Sequence, residues 1–234
     1  MLGRKYFIFV FIGVFVSEEF AIRGESSKKS LWPIKFPVKL SDTGKTIYYS
    51  IEKLHPSKYD DAAVFAAQHL KMNTSSPKMC WREELEKNIS VVIFKPGTQT
   101  IIGLNILDIR ESMCKSNFVC DRIFDKFPVD KYLTSEALAV DPNYRRHGLG
   151  EALLRVHVTI CLEQHVDVTA SLFISDSSNR LADRLNYKCL DRMSSESLAE
   201  MKRDDPEKFN DCTEITCKYL TYNDVKPKAF CTIM

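Results

Sequence analysis

The residues whose types and spacing could do chemistry lie in a turn between a short apolar strand and a helix. Arg145, Gly148 and Gly150 follow the apolar residues 137–140 with the spacing Arg-x-x-Gly-x-Gly. Glycine lets the backbone approach a ligand closely, and the first amides of a helix are unpaired and lie at the positive end of its dipole. The turn therefore predicts a phosphate or pyrophosphate site. A glycine turn that only reverses the chain is the structural alternative.

This turn differs from two common phosphate-binding patterns. No Gly-Lys-Ser/Thr follows the glycines, which excludes a Walker loop, and the third glycine of a dinucleotide fingerprint is missing. Arg145 and Arg146 add positive charge for an anion. The structural alternative for these two arginines is a solvated turn. His147 lies between them and Gly148, where we expect it to bind or to be solvated and not to titrate in catalysis.

Composition limits the class of protein. The chain has 234 residues, 44% hydrophobic and 27% charged, as in a globular protein with one sizeable core. Its formal net charge is +2, and no basic stripe with interleaved aromatic residues occurs, so we expect no nucleic-acid partner. The eight cysteines form no CxxC pair and the five histidines are scattered, so we expect no metal site.

Apolar periodicity predicts a single α/β domain with a mixed central β-sheet flanked by helices. The predicted strands cover residues 47–51, 91–94, 100–109, 135–140, 168–175 and 214–222. The predicted helices cover residues 60–71, 77–88, 148–163 and 176–187. Residues 110–132 are expected to be irregular, with a short helix at about residues 122–127.

Strict alternation along the strand before the turn would separate its side chains into two sets. Glu136, Leu138 and Val140 would share one face, and Ala137 and Ala139 the other. Small side chains on one face would let a helix pack closely against the sheet. In the helix after the turn, His157 is expected to be a packed or surface histidine, and Cys161 a buried free thiol.

Residues 138–154, LAVDPNYRRHGLGEALL, resemble motif A of the GCN5-related N-acetyltransferase (GNAT) superfamily, whose signature is Gln/Arg-x-x-Gly-x-Gly/Ala. The predicted order of elements agrees with that fold over residues 46–222. Residues 172–175 (LFIS), residues 177–187 (SSNRLADRLNY) and the irregular insertion before motif A are most similar to insect-type arylalkylamine N-acetyltransferases.

This resemblance implies that acetyl-CoA is the cosubstrate and that its acetyl group is transferred to a primary amine. The backbone of Leu138, Ala139 and Val140 would pair with the pantetheine arm. The pyrophosphate would bind to the amides of the turn, which belong to Arg145, Arg146, His147, Gly148, Leu149 and Gly150. No metal is implied.

The resemblance also implies a catalytic pair. Glu136 is the candidate general base, because it would point along the same side of the strand as the cofactor arm, and an exposed strand-end glutamate is the alternative. Ser178 matches a serine that the insect-type enzymes use, so it could donate or relay a proton, although a serine at a helix start is often only a cap. Ile174 occupies the position of the second such serine.

Two further departures concern catalysis. Ala182 stands where many superfamily members carry the tyrosine that protonates the leaving thiolate. Residues 72–77 contain no carboxylate, although the insect-type enzymes have an acidic residue between the first two helices. The cofactor half of the motif is intact, and the catalytic half is incomplete.

Several functions are therefore open. The predicted function is N-acetylation of a small arylalkylamine, and an aromatic acceptor pocket formed by Tyr48, Trp81 or Phe118 would favour it. The alternatives are a divergent acyl-CoA-binding protein with little turnover and a polyamine or protein N-acetyltransferase. Family members occur as monomers and as dimers, so the oligomeric state is open.

The two ends of the chain indicate different compartments. Residues 1–24 form an apolar segment with signal-like length and a basic start, followed by an expected linker over residues 25–45. Residues 223–234 form a tail ending in Cys231-Thr-Ile-Met, a CaaX-like prenylation pattern. A cytoplasmic location is expected, with the secretory pathway or a membrane anchor as the alternative.

Cysteines and sequons bear on the same question. Asn73 and Asn88 each start an Asn-x-Ser sequon. A disulfide of Cys120 with Cys114, or of Cys217 with Cys212, is expected only in an oxidising compartment.

Overall fold

The computed structural model describes residues 31–39, 44–70, 81–114, 119–209 and 212–221, and most of them surround one mixed β-sheet. Its eight strands are β1 (Ile34–Lys39), β2 (Thr46–Lys53), β3 (Val91–Phe94), β4 (Ile101–Glu111), β5 (Lys131–Val140), β6 (Val168–Phe173), β7 (Lys188–Arg192) and β8 (Thr216–Thr221). They lie in the order β1-β2-β3-β4-β5-β6-β8-β7. The pair β5–β6 is parallel and the other neighbouring pairs are antiparallel.

Helices cover both faces of this sheet. They are α1 (Tyr59–His69), α2 (Arg82–Glu86), α3 (Ile123–Lys126), α4 (Leu149–Arg155), α5 (His157–Gln164), α6 (Asp176–Arg184), α7 (Ser195–Asp204) and α8 (Pro206–Phe209). Short 3-10 turns cover Pro56–Lys58, Ser112–Cys114, Val119–Arg122 and Pro142–Tyr144. The predicted fold class, a single mixed-sheet α/β domain flanked by helices, is confirmed.

Two apolar clusters define the faces around β4 and β5. One cluster joins α1 and α2 to the sheet and contains Ala62, Ala66, Leu85, Ala137 and Ala139. The small side chains of β5 thus lie under α1, as the sequence predicts for close helix packing.

The second cluster, on the opposite face, joins α4 and α5 to Leu107 and Leu133. Leu149 and Leu153 are its fully buried members from α4. Gly103 of β4 lies directly under α4, because a Cβ built there would be 3.4 Å from the Leu153 side chain.

Several predicted boundaries differ from the structure: β5 begins at Lys131 instead of residue 135, and β7, α7 and α8 were not predicted. The expected linker over residues 25–45 contains β1, which pairs with β2 from Ile34 opposite Ile51 to Lys39 opposite Thr46. Its lysines and Pro37 resemble linker composition, but an edge strand accepts proline and charged residues because one side has no ladder to complete. The helix predicted over residues 148–163 is divided at Val156 into α4 and α5.

The disulfide pairing expected from sequence is wrong. Cys120, in the 3-10 turn before α3, is bonded to Cys217 of β8, 97 residues away. Cys212 is free and buried, as is Cys161. The two expected bridges joined cysteines close in sequence, whereas β-sheet pairing brings this 3-10 turn beside β8.

Some sequence predictions fall outside the described residues. These include the apolar segment 1–24, the CaaX-like tail 223–234, Asn73, residues 72–77 and Phe118. Within the described ranges, no helix has the length and apolarity needed to cross a membrane.

Candidate functional site

The strands β5 and β6 separate soon after they meet. They pair at Leu133 and Thr169, and the register continues no further along β5. Two residues on, the Ser135 amide donates to the Ser171 side-chain oxygen at 2.9 Å instead of to a backbone carbonyl of β6. From Glu136 to Val140 the edge of β5 that faces β6 is therefore outside the sheet ladder. Such an edge can pair with an extended ligand.

A β-bulge lies where this separation begins. Ile106 of β4 is opposite Ala137, but the next residue, Leu107, is opposite Ser135. Glu136 is therefore the extra residue and has no register partner on β4. Bulges bend a strand and change the direction of a side chain, and they occur often beside active sites.

The bulge corrects the predicted face of Glu136. Leu138 and Val140 pack with the α4 cluster, whereas Ala137 and Ala139 pack with the α1 cluster. Glu136 contacts Arg110, which shares the α1 face of β4 because it lies at even spacing from Ile106. Glu136 thus lies on the face opposite Leu138 and Val140, since the extra residue interrupts the alternation.

An ion pair holds the Glu136 side chain. Arg110 donates to Glu136 Oε1 from Nη2 at 3.2 Å and from Nε at 3.3 Å. The two side chains are 30% and 22% exposed, so solvent screens the pair only partly. Burial lowers the pKa of Arg110 and the adjacent Glu136 carboxylate raises it, with a net increase. Within the described residues, Glu136 Oε2 accepts no hydrogen bond, so it is the oxygen available to a ligand.

The turn after β5 is built by local hydrogen bonds. The Asp141 carboxylate accepts from the Asn143 amide at 2.8 Å and caps the 3-10 turn Pro142–Tyr144. Arg146 and Gly148 then adopt left-handed conformations, with φ of 69° and 75°. Glycine adopts this region without a steric cost, which explains its presence at residue 148. The helix α4 begins directly after this turn.

The start of α4 offers backbone donors. The Ala152 amide donates to the Gly148 carbonyl at 3.0 Å, so the amides of Leu149, Gly150 and Glu151 precede the helical ladder. The helix dipole adds positive potential at the same place. Leu149 is 1% exposed and Ala139 5%, so these two predicted cofactor residues can offer only their backbones. This arrangement fits an anionic group such as a pyrophosphate.

Two arginines accompany these amides. Arg145 and Arg146 are exposed. The Arg145 Nε donates to the Val140 carbonyl at 3.4 Å, which places its guanidinium beside the end of β5. Both exposed guanidinium groups belong to the turn that precedes α4, and neither is buried away from an anion there.

The side chain of His147 anchors the turn to the sheet. Its Nδ1 lies 3.3 Å from the Tyr49 hydroxyl of β2, and its ring contacts Tyr144 edge-on. This contact engages Nδ1, so the backbone amide and Nε2 of His147 are the groups that an anion could use. Burial raises the pKa of Tyr49, and neighbouring Tyr144 adds to the increase.

Gly150 lies between β5 and α6. A Cβ built there would be 3.5 Å from Leu181 and 3.9 Å from both Leu138 and Val140. The side chains of β5 and α6 therefore form two walls with Gly150 between them. The absence of a side chain at residue 150 keeps this surface open next to the turn.

Ser178 belongs to a capping box at the start of α6. Its hydroxyl donates to the Ser175 carbonyl at 2.8 Å and accepts from the Ser175 amide at 3.1 Å. Ser175 Oγ in turn accepts from the Ser178 amide. The structure thus shows the cap that the sequence offered as the alternative to a proton donor. Ala182, one turn later, is fully buried.

A buried chain of polar side chains supports the bulge from the α4 face. The Ser135 hydroxyl donates to Asn105 Oδ1 at 2.5 Å, and Asn105 Nδ2 lies 2.8 Å from His157 Nε2. On the other side of the ring, His157 Nδ1 lies 3.0 Å from Thr169 Oγ1 and 3.3 Å from the Tyr187 hydroxyl. His157 is fully buried, and burial lowers its pKa to about 3. The ring is therefore neutral and bridges α5 to β4 and β6.

A second histidine lies near the turn. His69 ends α1 and contacts Phe65, with ring centroids 4.3 Å apart. Burial lowers its pKa; Asp141 opposes this shift and Arg145 adds to it. These charges place His69 beside the end of β5, on the α1 face.

Aromatic side chains lie on the same face as Glu136. Phe65 and Trp81 pack in the α1 cluster with Ala137 and Ala139. The prediction that Tyr48 forms part of an acceptor pocket is wrong. Tyr48 is 68% exposed on β2, and the strands β3 and β4 separate β2 from β5. Trp81 remains the described candidate.

One open surface pocket lies elsewhere. Its lining includes Tyr59, Arg82, Glu86 and Asn88 and none of the predicted site residues. The described part of the chain contains no group of three His, Cys, Asp or Glu side chains that could hold a metal ion.

The groups that position the site could not be predicted from the sequence. Arg110, Asn105 and Ser171 contact the bulge, but each lies in a strand or insertion with no motif. The signal in the sequence was limited to a polar Asn105 inside an apolar strand and a run of Ser, Glu at residues 135–136.

Comparisons with known proteins agree with this geometry. The model of the acetyltransferase (GNAT) family matches residues 58–189, more than half of the 234 residues. No curated protein sequence matches the chain. Acetyl-CoA is the cosubstrate that this family implies.

Solved structures show the same fold. The chain is similar to a protein of the yellow fever mosquito Aedes aegypti named arylalkylamine N-acetyltransferase 7, with 22% identity, a TM-score of 0.68 and coverage of 84% of this chain and 98% of that one. It is similar to the Drosophila melanogaster polyamine N-acetyltransferase, with 14% identity, a TM-score of 0.57 and coverage of 74% and 99%. It is also similar to Arabidopsis thaliana NAA60 in complex with acetyl-CoA, with 14% identity, a TM-score of 0.54 and coverage of 74% and 99%.

At these low sequence identities, the similarity to solved structures shows a shared fold and nothing more. The family model adds the sequence pattern over the turn and the strands beside it. The predicted GNAT fold and enzyme class are confirmed, and the chain belongs to the acetyltransferase (GNAT) family.

Proposed function

We propose that this chain transfers the acetyl group of acetyl-CoA to a primary amine, and that the amine is a small arylalkylamine. Family membership supports acetyl transfer. The observation that carries the proposal is the position of Glu136, at a bulge where β5 leaves β6. The anion-binding turn lies at the other end of the same exposed strand edge, about 13 Å away at the usual rise of a strand.

In this proposal the described residues bind two parts of acetyl-CoA, the amide-containing pantetheine arm and the anionic pyrophosphate. The free edge of Leu138, Ala139 and Val140 pairs with the pantetheine arm, and the amides of residues 145–150 bind the pyrophosphate. Acetyl-CoA supplies a thioester whose carbonyl carbon can accept an amine. The C–N bond forms as the C–S bond breaks. CoA leaves as the thiolate with the electron pair of that bond and is protonated to the thiol, while the amine nitrogen gives up one proton.

Glu136 is the proposed acceptor of that proton. Its Oε2 is free of hydrogen bonds from the described residues, whereas Arg110 holds Oε1. A carboxylate held in one orientation can take a proton from an ammonium group directly or through one water. The amides of β5 beyond the bulge are close enough along the chain to polarise the thioester carbonyl.

The aromatic residues of the α1 face support the arylalkylamine class. Phe65 and Trp81 lie on the face to which the bulge turns Glu136. An aromatic ring of the acceptor would bury apolar surface there, while its amine approaches the carboxylate. Structural neighbours are named for both arylalkylamines and polyamines, so the acceptor class rests on these side chains.

The test is release of CoA from acetyl-CoA with a panel of an arylethylamine, a polyamine and a peptide with a free N-terminus. We expect the highest kcat/KM for the arylethylamine. Glu136→Gln should lower kcat by about 100-fold or more, the usual contribution of a general base. Arg145→Ala should instead raise KM for acetyl-CoA. Exposed Glu111 and Arg203 provide matched controls, Glu111→Gln and Arg203→Ala.

No turnover of any amine, together with saturable acetyl-CoA binding, would refute the enzyme and leave the second candidate. That candidate is a divergent acyl-CoA-binding protein. It is favoured by Ser178, whose hydroxyl is engaged in the capping box, and by Ala182, which is buried and has no proton to donate. A preference for the polyamine or the peptide would keep acetyl transfer and reject the arylalkylamine.

A further inference from the structure

We infer that Asn88 is a site of N-linked glycosylation and that the domain matures in an oxidising secretory compartment. This inference needs neither Glu136 nor the turn, so it is independent of the proposed catalysis. Two separate observations carry it: the exposed Asn88 that starts the sequon at residues 88–90, and the buried bridge between Cys120 and Cys217.

The first observation is the geometry of the sequon. Asn88 is exposed and lies between α2 and β3, in a left-handed conformation with φ of 58°. Its amide closes the turn by donating to the Leu85 carbonyl at 3.1 Å. The Tyr59 hydroxyl approaches Asn88 Oδ1 at 3.5 Å, and within the described residues Nδ2, the atom that would carry the glycan, makes no hydrogen bond. Asn88 is exposed and borders the open surface pocket lined by Tyr59, Arg82 and Glu86, so a glycan there would have access to solvent.

The second observation is the disulfide. Cys120 and Cys217 are both fully buried, and their bond joins the insertion before β5 to β8. Structural disulfides form and persist in oxidising compartments and are rare in the reducing cytosol. The same compartments contain the machinery that modifies Asn-x-Ser sequons. The apolar run of residues 6–16 after Arg4 and Lys5 has the length of a signal-peptide core.

The fold also sets the order of events. Ser90, the third residue of the sequon, is 1% exposed, and its hydroxyl accepts from the Leu107 amide at 3.2 Å. A transferase could not reach this hydroxyl once β3 has paired with β4. Asn88 is therefore modified while the chain is still unfolded, before residues 91–94 enter the sheet.

The chemistry is a group transfer from a lipid-diphosphate-linked oligosaccharide. The Asn88 Nδ2 forms a bond to C1 of the first sugar, the C1–oxygen bond to the lipid diphosphate breaks, and Nδ2 loses one proton. The lipid diphosphate leaves with the electron pair. No oxidant or reductant is required.

The test expresses the full chain in eukaryotic cells and treats it with peptide N-glycosidase in ¹⁸O water. We expect a gel shift and ¹⁸O-labelled Asp at residue 88 by peptide mass spectrometry. Asn88→Gln and Ser90→Ala should remove the label, and Ser90→Thr should retain it. Asn186→Gln is the matched control, because Asn186 is also exposed and left-handed, with φ of 62°, but starts no sequon. Peptide analysis does not depend on folding, because modification precedes it.

The bridge is measured in the same sample by blocking free thiols before reduction. Cys120 and Cys217 should be protected, and Cys189, which is free and exposed, should be blocked. An unlabelled residue 88 would overturn Asn88 as a glycosylation site, and a reactive Cys120 or a farnesyl group on Cys231 would overturn the oxidising compartment. A gel shift that persists in Asn88→Gln, with residue 88 unlabelled in the wild type, would assign the glycan to Asn73 and overturn Asn88 as the site.

Discussion

Arg110 of β4 donates two hydrogen bonds to one oxygen of Glu136, at the bulge of β5, at 3.2 Å and 3.3 Å. Arg110 also lies near a second pair of polar side chains, Tyr132 and Asp121. It is the register partner of Tyr132, whose hydroxyl donates to Asp121 at 2.8 Å. Asp121 follows Cys120, so the disulfide to β8 supports the segment behind the ion pair. Strand β4, the insertion before β5 and the Cys120–Cys217 bridge thus all support the position of the proposed base, Glu136.

Arg110→Gln should lower kcat by about 10- to 100-fold with little change in KM for acetyl-CoA, because a small misplacement of a reacting group is costly. The turn proposed to bind the pyrophosphate lies at the opposite end of the strand edge, so KM for acetyl-CoA should not change. Steady-state kinetics with a varied amine and a varied acetyl-CoA concentration measure this split. Lys87→Gln, which breaks the neighbouring pair with Asp108, is the control. Equal losses in both variants would assign the effect to fold stability.

The two glycines of the turn should respond differently to alanine. Gly148→Ala should lower the free energy of unfolding by about 1–2 kcal/mol, because φ is 75° and a Cβ disfavours that region. Gly150→Ala should leave stability nearly unchanged, since its Cβ would make ordinary contacts of 3.5–3.9 Å, but should raise KM for acetyl-CoA by filling the surface between β5 and α6.

Denaturant unfolding and kinetics separate these two effects. Gly97→Ala is the matched control for strain, because its φ is 76° and nothing lies within 4 Å of the built Cβ. It should lose stability as Gly148→Ala does and retain KM. A normal KM in Gly150→Ala would argue against a cosubstrate beside residue 150.

His157 should make the domain sensitive to acid. Burial lowers the pKa of His157 to about 3, below the usual 6.5 of an unfolded chain. Between these pH values the unfolded chain binds the proton and the folded chain does not. The free energy of unfolding should therefore fall as pH falls from about 6.5 towards 3, by up to about 1.4 kcal/mol per pH unit.

His157→Gln should reduce that slope, at the cost of some stability at neutral pH from the lost contacts with Asn105 and Thr169. Urea unfolding at a series of pH values measures both quantities. His165→Asn, at an exposed histidine that ends α5, should keep the wild-type slope. An unchanged slope in His157→Gln would mean that other groups carry the acid sensitivity.

The disulfide should be a large contributor to stability. The bridge closes a loop of 97 residues in sequence, and a loop of this length is expected to stabilise by about 3–5 kcal/mol. Cys120→Ala with Cys217→Ala should lower the free energy of unfolding by that amount in guanidinium titrations. Cys189→Ala should have no effect, and reductant should destabilise the wild type but not the double variant.

Ser178 can be tested as a cap and as a proton donor. Ser178→Ala should lower stability by about 1 kcal/mol, as loss of a capping group does, and Ser175→Ala should do the same. If Ser178 only caps α6, both variants should retain equal kcat at a temperature where they are folded. A loss of kcat confined to Ser178→Ala would support proton transfer through its hydroxyl.

Much of the fold could be predicted from sequence because its signals are local. Apolar periodicity located most strands and helices, and glycine at residue 148 marked a left-handed turn before a helix. The spacing of Arg145, Gly148 and Gly150 indicated the family without any knowledge of the sheet. β1 was missed, because edge strands carry lysine and proline, which also occur in linkers.

The face of β5 that Glu136 occupies could not be predicted from the local sequence. Alternation placed Glu136 with Leu138 and Val140, but one extra residue in β5 reverses that assignment. A bulge depends on the register between two strands, which neither strand specifies alone. Similarly, the partner of Cys120 depended on which strand lies beside the insertion, and Ser178 on the helix start that it caps.

The sequence by itself determined the family, the class of fold and the left-handed glycine turn before a helix, because short-range spacing and backbone preferences are sufficient for them. Only the tertiary structure decided which face Glu136 occupies, that Arg110 holds it, that β5 leaves β6 beside it and that Cys120 pairs with Cys217. The physical reason is that these features are hydrogen bonds and covalent contacts between segments far apart in the chain. Their geometry is set by the register of the assembled sheet.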